Sequence, residues 1–511
     1  MTSATATPPA ERSRAGTTLL LTAAATFMAF LDTTVVNVAF PDLRSDFPHE
    51  SLTNLTWVVT SYGVLFAALL TTAGRYADVV GRRKVFLGSL ALFGLASAAC
   101  AAAPNVDLLI AARAVQGIGA AGMIPAALGL VLAETPAEKR AEAVGLWGAS
   151  GSVAAAAGPS LGGLLVSWFD WRSVFIINVP IAIVVIIAGM KLLPERPPTE
   201  SKLPDVVGTG TVALGIGAII VGLTKGGDWG WKSAETWIWI AAGVVLVGYA
   251  LQRSRHQEAP AVDTGLWKSK MFAAANLTVF FLGAGLFVWF LSGPLYLTTI
   301  WHYSILKAGL AVTPGAVLSA VTAIIVGTKI KPENQRPVVV ISGLIFFALS
   351  IWAYFALGSE PKFLAIWLPY GAIGGAVIGA SLTSVTTAAA ISVHPLKFAA
   401  GTGLNTTARQ FGGSIGIAVM AAVIAARNPL QPQAYLDAFL LAGIFILASI
   451  VPAMALFSKK SMAIIAETQA QVQAYMAAQA KAAAQAQAAA AGSQPGAAAA
   501  PGGQAAVADR S

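Results

Sequence analysis

The sequence predicts an all-α polytopic membrane protein with fourteen transmembrane helices, and three observations carry that prediction. Of its 511 residues, 56% are hydrophobic and only 11% charged, with a mean hydropathy of +0.72, whereas charged residues make up roughly 25% of soluble domains. Apolar runs of about twenty residues, enough for a helix to cross a hydrocarbon layer ~30 Å thick, recur along the whole chain. The basic residues between those runs fall mostly on alternate connections, as the positive-inside rule requires.

Taken in order, the runs lie near residues 17–40, 55–74, 85–103, 107–133, 141–167, 174–193, 205–224, 237–251, 272–301, 308–328, 337–357, 362–392, 402–426 and 435–457. An N-terminal arm, residues 1–16, is polar and carries Arg12 and Arg14. The run after it is too long for a signal-peptide core, so it reads as a retained first span. Beyond residue 457 the composition turns to Ala and Gln and then to Gly, Pro and Ala, so residues 458–511 read as a tail, helical at first and disordered from Gly492. An even number of spans puts both termini on one side. Assigning alternate connections to that side places 23 Lys and Arg there, 7 opposite, and two, Arg113 and Arg409, inside spans. That side is expected to be cytoplasmic, with the protein in the plasma (inner) membrane.

Several function classes are excluded at this stage. The net charge of +9 could suggest nucleic acid, but the basic residues sit in short loops without interleaved aromatics, so no nucleic-acid partner is expected. Cys100 has no partner cysteine, and the four histidines stand apart near span ends, so neither a disulfide framework nor a metal site is expected. There is no GxxxxGK[ST] phosphate cradle and no connection large enough for a nucleotide-binding domain. HExxH is absent as well, and GxSxG occurs only inside apolar spans, at Gly158–Gly162 and Gly412–Gly416, rather than at a strand-to-helix turn, so the chain is not expected to be an enzyme and no cofactor is expected. Transport that draws on a gradient or on downhill flow is the reading left.

Polar residues inside the spans then become informative. The first span contains LDTTVVNVAFP, Leu31 to Pro41, with Asp32 deep in an apolar run. A membrane-embedded Asp costs about 2.5 to 3.5 kcal/mol on insertion scales. Asp32 is therefore either satisfied by neighbours such as Thr33 or Asn37, or it exchanges a proton. The fourth span carries Arg113 and Gln116 beside a small-residue surface, Gly117, Gly119, Ala120 and Ala121. A guanidinium needs a fixed acceptor, and a carboxylate on the first span is the natural one. In the fifth span, Gly145, Gly158, Pro159, Gly162 and Gly163 suit either a tight helix crossing or a bend. The loop GRYADVVGRRKVF sets Gly74, Arg75, Gly81, Arg82, Arg83 and Lys84 around the single acid Asp78. Gly371, Gly375 and Gly379, four apart, read as a helix crossing, and Arg409 reads either as an anion contact or as a residue at a wet helix start.

These residues together resemble the major facilitator superfamily, in its 14-span drug:proton antiporter branch of the EmrB/QacA type. The Gly74–Lys84 loop is similar to motif A, Arg113 with Gln116 and Gly117 to motif B, and Gly145 with Gly158, Pro159, Gly162 and Gly163 to antiporter motif C. Leu31 to Pro41 resembles the branch's first-span motif, and WRSVFIINVP, Trp171 to Pro180, its entry to span six. The resemblance implies the major facilitator fold: a six-helix bundle over 17–193, two inserted helices over 205–251, and a second six-helix bundle over 272–457. By analogy Asp32 and Arg113 form a proton-coupling pair. Gly74, Asp78, Gly81, Arg82, Arg83 and Lys84 form a cytoplasmic gate, and the motif C residues form a bend. Two departures stand out: Val79 replaces a usual basic residue, which shifts the latch toward Arg82 and Arg83, and Ala154 replaces a glycine.

The resemblance implies a proton-coupled exporter of hydrophobic or amphipathic compounds, acting as a monomer, with a small amphipathic molecule, protons and membrane lipid as its partners. A dedicated exporter of one metabolite or lipid, or a non-transporting sensor or scaffold, would be the alternatives. Because the last six spans hold no Asp or Glu in their apolar cores, a neutral or monocationic amphiphile is expected in preference to a dicationic one. The cavity is expected to draw on Asn37, Tyr62, Phe66, Gln116, Trp147, Phe287, Phe290, Tyr296 and Phe411.

Overall fold

A computed structural model describes residues 9–136, 139–195, 205–258, 260–262, 264–393, 398–458 and 461–463. Its helices are α1 Pro9–Asp46, α2 Leu52–Val80, α3 Arg82–Ala101, α4 Val106–Glu134, α5 Arg140–Trp168, α6 Ser173–Leu192, α7 Val206–Trp229 and α8 Ala234–Ser254. They continue as α9 Lys270–Thr299, α10 Ile305–Lys329, α11 Gln335–Ala356, α12 Phe363–Ile391, α13 Phe398–Ala425 and α14 Pro432–Ala453. Among the described residues, 13 of these are long and apolar enough to cross a membrane. The fourteenth, α5, is 29 residues long. The protein is therefore a multi-pass membrane protein, and the expected fourteen-helix fold is the one observed. Helix α1 begins inside the N-terminal arm, at Pro9, and the Ala/Gln tail lies outside the described residues.

Side-chain caps close several ends. Ser51 accepts from Asn54 N, Asn105 from Leu108 N, Ser269 from Phe272 N and Ser304 from Lys307 N. Each satisfies a donor that the first helical turn leaves free. Between α2 and α3 the chain reverses at Gly81, whose φ of 114° a side chain would strain. That requirement explains the glycine in so short a basic loop.

The packing repeats itself. In the first bundle α1 packs on α4, α5 and α6, α2 on α4, and α3 on α4 and α6; in the second, α9 packs on α12, α13 and α14, α10 on α12, and α11 on α12 and α14. Each pair maps onto its counterpart eight helices later, the signature of two related six-helix halves. The halves meet through α5 with α10 and α2 with α13, which exchange under the same relation. The inserted pair, α7 and α8, crosses where Gly215 and Gly243 face each other's backbone, and α7 lies against both α2 and α13. Val212, Ile216 and Ile220 of α7 pack there with Val64 and Phe411, and Thr72 Oγ1 meets Thr209 Oγ1 at 2.6 Å.

Small residues set these crossings because lipid supplies no hydrophobic drive between helices, leaving close packing to hold them together. On α12, Gly375 lies against the backbone of Gly315 and Gly379 against that of Ser319, whereas a Cβ at Gly371 would meet nothing. Two of the three regularly spaced glycines are therefore crossing residues, and Gly371 opens onto a cavity. Gly375→Val is expected to destabilise the protein by about 1–3 kcal/mol through overpacking. Gly88→Ala, where a Cβ meets nothing within 4 Å, should leave the melting temperature in detergent within error of wild type.

Candidate functional site

The first bundle encloses a charge pair. Asp32 of α1 and Arg113 of α4 meet with Nη1 to Oδ2 at 2.5 Å, and their side chains are 0% and 1% exposed. Asp32 Oδ1 also accepts from Gln116 Nε2 at 2.9 Å and from Asn178 Nδ2 at 3.0 Å. Arg113 donates from Nε to the Val58 carbonyl at 2.9 Å and from Nη1 to Gln116 Oε1 at 2.6 Å. Its guanidinium carbon lies 4.4 Å from the centre of the Tyr62 ring and 5.5 Å from that of Phe175. Ser97 Oγ on α3 ties the cluster together, accepting from Gln116 at 2.7 Å and from Asn178 at 3.3 Å. Five helices thus converge on one carboxylate and one guanidinium.

The expected facing of Asp32 and Arg113 is observed. Local satisfaction of Asp32 by Thr33 or Asn37 is not, because Thr33 Oγ1 donates to the Ala29 carbonyl and Asn37 Nδ2 to the Thr33 carbonyl. Asp32 instead draws its donors from α4 and α6. Ser97 and Asn178 were not singled out from the sequence. Asn178 stands alone as an amide in the apolar sixth span and could have been noticed; Ser97, in a stretch of small residues, carries no such signal.

A separate cavity of about 580 Å³, counting its opening, lies between the bundles. Helix α1 contributes Thr34, Asn37 and Val38, and α5 contributes Pro159. The facing wall is aromatic, built from Trp289 and Phe290 on α9 and Trp367 and Tyr370 on α12. Asn37 Oδ1 is buried there without a hydrogen-bond partner among the described residues. At about 100° per residue, Thr34, Asn37 and Val38 lie roughly 140 to 240° around α1 from Asp32. One helix therefore presents the cavity on one face and the charge pair on the other.

The other candidate residues are distributed as follows. Asn37 and Phe290 line this cavity, while Tyr62 lies beneath Arg113, stacked on Phe66 at 5.9 Å. Gln116 belongs to the charge cluster. Trp147 packs on the first bundle's core, and Phe287 meets Gly413 on α13. Tyr296 lies in an aromatic stack, 5.8 Å from Trp367, with its hydroxyl donating to the Gly358 carbonyl. Phe411 packs toward α7. Trp289, Trp367 and Tyr370 were not anticipated, since nothing in sequence separates a cavity aromatic from a packing one.

Helix α5 runs unbroken through Pro159. Gly158 and Gly162 lie against Thr34 and Val35 of α1, and Gly163 against the backbone of Ile305 and Leu306 on α10. Gly309 meets the Pro159 carbonyl, and Ser160 Oγ and Thr313 Oγ1 are 2.6 Å apart. This α5–α10 seam borders the cavity, which Pro159 and Val312 also line. Gly145 lies in the first turns of α5, far from it.

On the basic face, Arg82 donates from Nε to Asp78 Oδ1 at 2.7 Å and from Nη1 to the Gly129 carbonyl at 2.9 Å. Gly74 packs on Pro125, Arg83 donates to the Met190 carbonyl, Lys84 pairs with Glu195 at 3.3 Å, and Arg75 donates to the Pro260 carbonyl at 2.8 Å. The loop thereby links α2 and α3 to α4, α6 and the connection before α9.

Two pseudo-equivalent bundles around a central cavity, with charge buried in one of them, define the architecture of a membrane transporter. The chain belongs to the major facilitator superfamily, whose profile matches residues 22–417. It is 32% identical over 413 residues to multidrug resistance protein Stp of Mycobacterium tuberculosis, covering 80% of this chain and 76% of that one. It is 32% identical to cephamycin export protein CmcT of Amycolatopsis lactamdurans (87% and 94%) and 31% identical to multidrug export protein EmrB of Escherichia coli (77% of each). Among solved structures, an inward-facing bacterial homologue of the lysosomal transporter Spinster shares the fold, with a TM-score of 0.61 at 16% identity, covering 91% of this chain and 98% of that one. The relatives and the fold are those of transporters rather than enzymes, in the 14-span exporter branch.

A buried carboxylate removed from its partner costs about 3–5 kcal/mol, because the remaining charge is left uncompensated. Asp32→Asn should therefore lower stability in detergent. Asp32→Asn combined with Arg113→Gln should recover a substantial part of that loss; a double variant as unstable as the sum of its singles would contradict the pairing.

Proposed function

We propose that the protein exports hydrophobic or amphipathic small molecules by alternating access, exchanging them for protons at Asp32. The observation that carries this reading is the position of α1, with the Asp32–Arg113 pair behind it and the cavity in front. Protonation of Asp32 would remove the charge that three side-chain donors hold, and would leave Arg113 held by Gln116 and the Val58 carbonyl alone. The tight contacts of Thr34 and Val35 with Gly158 and Gly162 make α1 and α5 move together. Pro159 and Gly163 would carry that movement to the α5–α10 seam, so that proton occupancy biases which face is open.

The relatives support export as the direction, since the names of those compared are of drug or antibiotic export and resistance proteins. The driving force is adequate: each charge crossing gains about 2.3 kcal/mol per 100 mV of membrane potential, before any pH gradient is added. In this reading the basic loop faces the cytoplasm of a plasma-membrane protein with both termini inside. Asp78 and its basic partners act as the gate on that side, and the cavity aromatics hold the apolar body of the cargo.

In proteoliposomes with an imposed proton gradient, uptake of a fluorescent substrate should collapse to leak when an uncoupler is added. Asp32→Asn should lose gradient-driven accumulation while retaining substrate exchange at equilibrium. Unchanged accumulation in Asp32→Asn would refute the mechanism. Asp78→Asn should slow transport by about tenfold, the equivalent of ~1.4 kcal/mol on the barrier, while substrate affinity changes little; a large loss of affinity would remove the loop from the gating role.

A further inference from the structure

Arg409 of α13 is the second basic residue inside a span, and the proton-coupling reading makes no use of it. It is the twelfth residue of its helix, about 16 Å along the axis from Phe398 and so near the middle of a ~30 Å layer. Among the described residues it has no hydrogen-bond or ion-pair partner, in contrast to Arg113. The apolar cores of α9 to α14 contain no Asp or Glu to serve it; Asp437, near the start of α14, is paired with Arg427 at 3.0 Å. An unpaired guanidinium at that depth is costly unless it faces water or an anion.

The surroundings of α13 fix the direction in which Arg409 points. Phe411 packs with the α7 cluster, and Thr407 donates to the Ala67 carbonyl of α2. Two residues are about 200° apart on a helix, which puts Arg409 on the side of α13 away from Phe411 and Thr407, and it is partly buried there. One turn earlier on that side, Asn405 is 3% exposed and its Nδ2 has no acceptor among the described residues. Two donors, one of them permanently charged, thus share a helix side with no acceptor for either. On α9, Gly283 lies against the Arg409 backbone, Phe287 against Gly413, and Phe290 and Pro294 in the cavity. These recur at helical spacing, so the face of α9 that meets the Arg409 backbone also carries Phe290 and Pro294 to the cavity, about 10 Å from Gly283 to Phe290.

We propose that Arg409, with Asn405, receives an anionic oxygen group of the cargo, and that the transported compounds are amphipathic anions whose apolar bodies lie among Trp289, Phe290 and Trp367. This rests on the export reading above and sharpens it, placing acidic amphiphiles ahead of the neutral or monocationic ones that the sequence favours. The guanidinium would bind a carboxylate or sulfonate through two parallel hydrogen bonds. Emptying the site would leave both donors unmet.

The test compares two probes with the same aromatic frame, anionic 8-anilinonaphthalene-1-sulfonate and neutral N-phenyl-1-naphthylamine, binding to the full-length protein in phosphatidylcholine nanodiscs. The readout is the ratio of their affinities. Wild type should favour the anion, and Arg409→Gln should reduce that preference by roughly tenfold or more, as expected for a lost hydrogen bond to a charged group. Arg409→Lys should retain part of it, and Lys307→Gln, at an exposed cation on the opposite face, should retain all of it. An unchanged ratio in Arg409→Gln, or an equal loss of both probes, would overturn the proposal. A preference present in phosphatidylcholine but lost in phosphatidylglycerol nanodiscs would assign the site to a lipid head group and overturn the cargo assignment. Anion-selective binding without gradient-driven flux of either probe would uphold the site while refuting the antiport reading.

Discussion

The structure depends on one ion pair buried where no water reaches. Asp32 and Arg113, with exposures of 0% and 1%, must be made and kept together, because either alone would be an uncompensated charge in the membrane interior. The demands of that pair explain much of the first bundle. Gln116 and Asn178 fill the remaining acceptor positions of the carboxylate, Val58 offers its carbonyl, and Tyr62 presents a ring face to the guanidinium. Gly117, whose Cβ would strike the Tyr62 carbonyl, and Gly119, set on the Phe93 backbone, let α4 approach α2 and α3 closely enough for these contacts. A larger residue at either position would push the guanidinium away from its acceptors.

The two halves share a packing plan but not a chemistry. The second bundle closes its crossings with Gly375 on Gly315, Gly412 on Phe280 and Gly416 on Ala284, and among the described residues it has no counterpart of the Asp32–Arg113 pair. Its aromatic side chains supply an apolar wall, while the first bundle supplies the polar atoms of Thr34 and Asn37. The cavity is thus polar on the side of α1 and aromatic on the side of α9 and α12. The seam between α5 and α10 connects the halves directly: Gly158 and Gly162 lie against α1, and α5 contacts α10 one turn or less away.

Much of this was legible in the sequence, for identifiable reasons. Spans can be read because bilayer thickness fixes their length. Asp32, Arg113 and Gln116 stood out because polar residues are conspicuous in apolar runs, and their convergence followed from the need of a guanidinium for an acceptor. What could not be read depends on rotation about helix axes. Phe290 lines the cavity while Tyr296, six residues on, is packed against Trp367, and Phe411 is packed toward α7. Sequence spacing supplies those angles only once one helix's neighbours are known. Ser97 was invisible for a simpler reason, since a serine among alanines is ordinary until two amides point at its hydroxyl.

If occupancy of the cavity and protonation of Asp32 oppose one another across α1, adding substrate to the protonated protein must expel a proton even with no membrane gradient present. The measurement is proton release into lightly buffered detergent solution on substrate addition, followed with a pH-sensitive dye. Wild type is predicted to release protons in proportion to bound substrate, and Asp32→Asn to bind substrate and release none. Equal release from both proteins would show that the exchanged proton resides elsewhere and would contradict the account.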